Sequence, residues 1–205
     1  YDNDKLEFIN FDKFSNVKVL EDGVCGMKVC CIKAKYNGKE YILKEMRKSF
    51  NYGKDYMFVD ELKEHFGIMP INMQRIKSNK YLIRKDTSKK TLVNNWKWEN
   101  GNTYYCKMDV FDNIGDIGKH KHLLEDDSVF RECLKIRLYD GLFCSSDNIL
   151  RNILVNSNNQ LLSIDEGDIY GKRKDIFNKK DWFLKDKNKN KAKEYCQEII
   201  KEWNL

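Results

Sequence analysis

The dipeptide Asn37-Gly38 is the feature that most restricts what this chain can fold into. It separates two runs of alternating apolar and polar residues, MKVCCIKAKY and, after Lys39, EYILKEM. Asn-Gly readily adopts the two positive φ angles of the tightest hairpin turns, so these runs predict an antiparallel hairpin. A third alternating run at 16–22 precedes them, and residues 16–46 therefore predict a three-stranded antiparallel meander.

The next segments predict a helix and then two more strands. In YGKDYMFVDELKEHFGI, a set of residues recurs at helical spacing and marks the expected inward face: Met57, Phe58, Glu61, Leu62 and His65. Gly67 is a suitable residue to end this helix. The runs INMQRIK and KYLIRKD, joined at Ser78-Asn79, predict two strands, which makes five strands and one helix over residues 1–86.

The rest of the chain predicts a weaker stretch, two helices and a hairpin. Residues 87–102 read as a loop or an irregular hairpin. A helical pattern covers 127–143, with Asp127 or Ser128 as its N-cap. The runs ILV and LLSI, separated by the polar turn NSNNQ, predict a β-hairpin, and 190–205 predicts a last amphipathic helix.

The charge distribution fits a solvated surface. Lys and Arg number 38 against 32 Asp and Glu, which leaves a net charge of +6 with acids interspersed throughout. We therefore favour a soluble surface over a nucleic-acid role. The rival interpretation rests on NNWKWENGNTYY, where Trp96 and Trp98 alternate with polar residues and offer rings for base stacking. Indoles in such a run more often pack onto the body of the protein.

Cysteine usage and apolar run lengths indicate a cytoplasmic protein without a membrane span. The 7 cysteines show no CxxC spacing and their number is odd, so we expect free thiols rather than a disulfide framework or a metal site. No run approaches the roughly 18 apolar residues of a membrane helix. Tyr1 is not a natural start, which leaves open whether the chain is trimmed at its N-terminus.

Three polar side chains stand at the ends of the two short apolar runs. In SDNILRNILVNSNNQLLSIDEGD, Asp147 and Asn152 precede ILV, and Asp165 ends LLSI. Transfer of a phosphoryl group from ATP needs oxygen ligands for Mg²⁺, a base beside the acceptor hydroxyl and a cation on the phosphates. The two carboxylates and the amide are of the right types for the first two tasks.

The spacing resembles that of protein kinases, whose catalytic loop has an Asp, four residues and an Asn running into a strand. Here Asp147 and Asn152 bracket NILR, and Asp165 follows in SIDEG, where the family places its metal-binding Asp before a Gly. The chain resembles the protein-kinase-like superfamily, in particular its atypical and phosphoinositide-kinase-like branch, which includes actin-fragmin kinase. The resemblance implies an α+β, two-lobed fold: an antiparallel-sheet N-lobe over 1–86 and a small, mostly helical C-lobe over 87–205.

The resemblance also implies an ATP and Mg²⁺ site with specific roles. Lys44, on the third strand in EYILKEM, would bind the nucleotide phosphates and pair with Glu61, or failing that Glu64, on the following helix. Asn152 and Asp165 would hold Mg²⁺.

Further roles follow from the same comparison. Asp147 would orient the acceptor hydroxyl and take its proton. Gly23 and Gly26, in EDGVCGMKV, stand where the phosphate loop belongs. The segment YLIRKD, which contains Ile83 and Arg84, would connect the lobes and meet the adenine edge with its backbone.

The pattern departs from that of ordinary protein kinases at several points. The residues before Asp147 are CSS rather than His-Arg, and Glu166 stands where the usual Phe follows the metal-binding Asp. These departures leave a catalytically inactive, kinase-shaped binding protein open as the alternative. The acceptor also stays open among a protein Ser/Thr, a lipid and a small molecule.

Overall fold

A computed structural model describes residues 6–20, 31–46, 52–84, 96–143, 150–164, 183 and 185–205, with the backbone alone at 52–57 and 84. Within these residues the fold is α+β, with two antiparallel sheets and three α-helices. The contacts divide the chain into two compact units. We call them the sheet unit, Tyr1–Met57 with Asn72–Val110, and the helical unit, Phe58–Ile71 with Phe111–Leu205.

The sheet unit contains five antiparallel strands in the order β1-β2-β3-β5-β4. They are β1 (Ser15–Val19), β2 (Cys31–Tyr36), β3 (Lys39–Met46), β4 (Gln74–Arg84) and β5 (Trp96–Asp109). The predicted hairpin is confirmed: β2 pairs with β3, and Asn37 and Gly38 have φ angles of 48° and 83°. Both turn residues therefore adopt the positive φ that the Asn-Gly pair predicted.

The prediction of two strands joined at Ser78-Asn79 is wrong, because β4 runs through that point without turning. The register shifts between Ser78 and Lys80, as in a bulge. The Ser78 hydroxyl donates to the Ile9 carbonyl at 2.8 Å, and the Asn79 side-chain oxygen accepts from the Phe11 N–H at 2.8 Å. These polar side chains bind the N-terminal segment, and the strand continues.

The prediction of a loop over 87–102 is wrong from Trp96 onward, where β5 begins. Trp96 and Trp98 pack against the core of the sheet unit, and the Trp98 ring lies 4.6 Å from that of Phe11. The fifth strand is therefore β5, and the predicted domain boundary after residue 86 falls between two paired strands of one sheet. The contacts divide the chain after Met57, after Ile71 and after Val110.

One face of the five-stranded sheet is covered by the N-terminal segment, to which the sequence analysis assigned no structure. Ile9, Phe11 and Phe14 are buried there against Ile32, Leu43 and other core residues. The Ile9 N–H also donates to the Lys77 carbonyl at 2.9 Å. The segment thus covers the core of the sheet unit and extends the edge of β4.

The helical unit is built on α2 (Asp127–Leu142) and α3 (Asp186–Glu202), with a three-stranded sheet in the order β6-β7-β8. The strands are β6 (Gly115–Asp116), β7 (Ile153–Val155) and β8 (Leu161–Ser163). Helix α2 was predicted within one residue. Its N-cap, however, is Asp126, whose carboxylate accepts from the N–H groups of Ser128 and Val129, and not Asp127 or Ser128.

Helix α1 (Tyr52–His65) ends before Gly67, which has a φ of 64° and thus fits its predicted role. The predicted inward face is wrong at Phe58, which is 42% exposed, and at Glu61 and His65, which are exposed too, whereas Leu62 packs inward as predicted. The face that packs into the helical unit carries Val59, Leu62, Lys63 and Phe66. Since Lys63 is charged, the inward stripe was not recognisable as apolar.

No helix among the described residues combines the length and the apolar character that crossing a bilayer requires.

Candidate functional site

The predicted site residues are only partly within the described portion of the chain. Those with described side chains are Lys44, Glu61, Ile83 and Asn152, whereas Arg84 is described by its backbone alone. The others, Gly23, Gly26, Asp147 and Asp165, lie outside the described residues. Their roles stay predictions.

Lys44 lies in the middle of the sheet, on β3. It is half-buried, and its neighbours in the ladder are Cys31 on β2 and Cys106 on β5. Because side chains alternate along a strand, Lys44 shares its face with Met46, while Leu43 points into the opposite core. The ammonium is therefore presented on the face that the N-terminal segment does not cover.

Arg75 is a second cation on this face that the sequence analysis did not single out. It pairs with Cys106 in the β4–β5 ladder, so Cys31, Lys44, Cys106 and Arg75 form one row across four strands. The Arg75 guanidinium lies 4.8 Å from the centre of the Tyr104 ring. Strict alternation along QRIKS was the signal that could have placed Arg75 here. This row of the sheet therefore carries two cationic side chains, Lys44 and Arg75.

Glu61 and Glu64 are both exposed on α1. Both glutamates belong to the helical unit, whereas Lys44 belongs to the sheet unit. The pairing of Lys44 with either glutamate therefore stays a prediction.

Asp60 and Lys63 are the buried charged side chains in the described part of α1, and both bind backbone groups. The Asp60 carboxylate accepts from the Ile71 N–H at 2.5 Å, and the Lys63 ammonium donates to the Ser163 carbonyl at 3.0 Å. Neither was predicted, because the inward face of α1 was assigned to other residues.

Asn152 ends a short 3-10 turn, Leu150–Asn152, and leads directly into β7. The predicted hairpin is confirmed, since β7 and β8 pair antiparallel with Ile153 opposite Ser163. The Ile164 N–H donates to the Asn152 carbonyl at 2.8 Å. Asn152 is thus bonded to the residue that precedes Asp165 in the sequence.

The loop of this hairpin is organised by one side chain. The Asn156 carboxamide oxygen accepts from the N–H groups of Asn158 and Gln160, each at 2.9 Å. Asn159 has a φ of 60°, which asparagine tolerates better than most residues. The polar turn NSNNQ therefore holds the two strands in register.

Ile83 and Arg84 do not lie in a segment that connects the two units. They belong to β4 and pair with Lys97 and Trp96 on β5. The connecting role assigned to YLIRKD was a consequence of reading the following residues as a loop. The chain passes from the sheet unit to the helical unit between Val110 and Phe111.

Metal-ligating clusters are absent from the described ranges, in which no three His, Cys, Asp or Glu residues converge. The predicted Mg²⁺ ligands are an amide and a carboxylate, and one of these, Asp165, lies beyond those ranges. The donor set itself suits Mg²⁺, which prefers oxygen ligands and retains several waters.

The cysteines that the structure describes are free thiols, three of them buried: Cys31, Cys106 and Cys133. The fourth, Cys196, is partly buried, and burial raises the pKa of its thiol. A raised pKa disfavours the nucleophilic thiolate, so Cys196 is not activated for chemistry.

No protein-family model and no curated protein matches this chain. The functional assignment accordingly depends on the residues of the chain and on their arrangement.

Proposed function

We propose that the chain is an Mg²⁺- and ATP-dependent phosphotransferase with an atypical, protein-kinase-like fold. It transfers the γ-phosphate to a hydroxyl group of a protein Ser/Thr, a lipid or a small molecule. The observation that carries the proposal is the β7–β8 hairpin, in which Asn152 is bonded to Ile164, the residue before Asp165. If one metal ion is to take an amide ligand from Asn152 and a carboxylate ligand from Asp165, the strands next to these residues have to pair, and β7 and β8 do pair.

The sheet unit supports the proposal independently. Lys44 lies on the third strand of a five-stranded antiparallel sheet, and α1 follows that strand in the chain. Lys44 is half-buried and so is not a fully solvated surface charge. Arg75, in the same row, adds positive potential where a triphosphate is expected.

In the proposed mechanism, the chain supplies position and charge, which is most of what phosphoryl transfer demands. Lys44, paired with Glu61 as the resemblance implies, would bind the α- and β-phosphates, and backbone N–H groups around Gly23 and Gly26 would cradle them. Asn152 and Asp165 would hold Mg²⁺, which would supply positive charge to the phosphate oxygens.

The remaining roles concern the acceptor hydroxyl and the adenine ring. Asp147 orients the acceptor hydroxyl and accepts its proton as the new bond forms. The adenine edge would meet the backbone of residues 81–86, the segment to which the resemblance gives this role.

The decisive experiment measures ATP turnover by the wild type, Lys44→Ala and Asp165→Ala. Each substitution should reduce kcat by about 10²-fold or more, since each removes a group that stabilises transferring charge. Lys39→Ala is the matched control, because Lys39 lies on the same strand but is exposed and paired with Asp109 at 2.7 Å. It should retain wild-type turnover.

Two outcomes would contradict the proposal in different ways. Turnover that survives both substitutions would refute the assignment of these residues. Stabilisation of the wild type by Mg-ATP in a thermal-shift scan, without any turnover, would identify the inactive binding protein instead.

A further inference from the structure

Lys63 combines complete burial with a bond to a specific backbone group. Lys63 is 0% exposed, although lysine is almost never fully buried. Its ammonium donates to the Ser163 carbonyl at 3.0 Å, across 100 residues of sequence. Val59, Leu62 and Phe66, its neighbours on α1, pack into the core of the helical unit around it.

Burial of an ammonium is costly in free energy, and a methionine or leucine of similar size would avoid that cost. What the ammonium adds is a hydrogen bond with a defined direction, because the Lys63 N–H donates to the Ser163 carbonyl. That carbonyl belongs to the last residue of β8.

Ser163 lies next to the predicted metal ligand Asn152 in the β7–β8 hairpin. It pairs with Ile153, the residue after Asn152, and it precedes Ile164, which donates to the Asn152 carbonyl. The Lys63 ammonium is therefore attached to the backbone of the hairpin directly beside Asn152, one of the predicted Mg²⁺ ligands.

We propose that Lys63 is a positioning residue for the metal ligands, an inference that rests on the function proposed above. It holds the open end of the β7–β8 hairpin against α1, and thereby fixes the backbone of Asn152 through its bond to Ile164. Residues that orient metal ligands without touching the metal typically change metal affinity by about 10- to 100-fold when replaced.

Lys135 provides a matched control within the same unit. It is 5% exposed and its ammonium donates to the Glu202 carboxylate at 2.9 Å, on α3 rather than on the hairpin. Lys135→Met thus removes a buried ammonium of the helical unit that is bonded elsewhere. Lys63→Arg is the conservative variant that retains a cationic donor.

The experiment compares wild type, Lys63→Met, Lys63→Arg and Lys135→Met in two measurements. The first is hydrogen exchange of the Ile164 amide by NMR, which reports the closing hydrogen bond of the hairpin. The second is the affinity for Mn²⁺ in the presence of a non-hydrolysable ATP analogue. Global unfolding in urea is measured for each variant, so that local opening is separated from lost stability.

Lys63→Met should accelerate Ile164 exchange beyond its change in global stability and weaken Mn²⁺ binding by about tenfold or more. Lys63→Arg should retain most of the Ile164 protection and most of the Mn²⁺ affinity. Lys135→Met should lower only the free energy of global unfolding. Should Lys63→Met not fold, Lys63→Gln is expected to show the same two effects at smaller size.

The outcomes separate this inference from the function on which it rests. Equal behaviour of Lys63→Met and Lys135→Met would overturn the positioning role while leaving the phosphotransferase proposal intact. A wild type that binds no Mn²⁺–nucleotide would overturn both.

Discussion

Asn152 accepts a hydrogen bond from the backbone of Ile164 at 2.8 Å, which closes the open end of the β7–β8 hairpin. The bond joins the residue that precedes β7 to the residue that follows β8. The turn at the opposite end, built on Asn156, keeps the pairing in register.

Asn156→Ala should destabilise the helical unit by about 1 kcal/mol, because two backbone N–H groups lose their side-chain acceptor. Urea unfolding measures this change. Asn158→Ala is the control, since it retains the backbone N–H that donates to Asn156. Equal effects of the two substitutions would show that the Asn156 side chain does not organise the turn.

Gly38→Ala should destabilise the sheet unit by about 1 kcal/mol, because a residue with a Cβ is strained at a φ of 83°. An added Cβ meets nothing within 4 Å, so the cost is conformational and not steric crowding. Asn37→Gly, at the neighbouring turn position with positive φ, should be tolerated. The free energies of unfolding of the two variants decide the point, and equal losses would contradict it.

Glu202 should stabilise the helical unit in a pH-dependent way. Its carboxylate accepts from Arg131 at 2.7 Å and from Lys135 at 2.9 Å, and these hydrogen bonds lower its pKa. A lowered pKa in the folded state means that the stabilisation is present above the unfolded value, about 4.5, and is lost as the pH falls through the folded pKa.

The difference in unfolding free energy between wild type and Glu202→Gln should therefore shrink as the pH falls below about 4.5. The difference between the two proteins is used because burial raises the pKa of the nearby Glu132 carboxyl. This raised pKa favours stability at low pH in both proteins and therefore cancels in the difference. Glu194→Gln, exposed on the same helix, serves as the control. A difference that is independent of pH would exclude the ion pairs as its source.

Tyr139→Phe should destabilise the helical unit by about 1 kcal/mol. The Tyr139 hydroxyl donates to the Val59 carbonyl at 2.5 Å, and both residues are buried. Tyr195→Phe removes a hydroxyl from a half-buried ring on α3 and should cost less. Unfolding in urea compares the two, and the reverse order would show that this bond does not hold α1 to α2.

The sequence predicted best where one residue type is almost obligatory. Asn37-Gly38 predicted its hairpin because few residues accept positive φ twice in succession. Helix α2 was recognisable from its periodicity, and the NSNNQ turn from its amides. Lys44 and Asn152 were therefore placed on the correct strand and hairpin.

The prediction failed where tertiary contacts overrode local signals. Gly101 and its polar neighbours suggested a loop, yet Gly101 lies inside β5 because the Tyr81 ring covers it, 2.9 Å from where a Cβ would be. Lys63 concealed the inward face of α1, since a charged residue is not expected in a core. Its carbonyl partner lies 100 residues away and has no local signature.

Helix α1 begins in the sheet unit and continues into the helical unit, so neither unit is one continuous stretch of chain. During synthesis, residues 58–71 emerge long before their partners do. The Trp203 indole, which donates to the Phe66 carbonyl at 3.0 Å, is made 137 residues later. On the ribosome, the strands around Lys44 can thus pair early, whereas the apolar side of the second half of α1 is covered only after α2 and then Trp203 have been made.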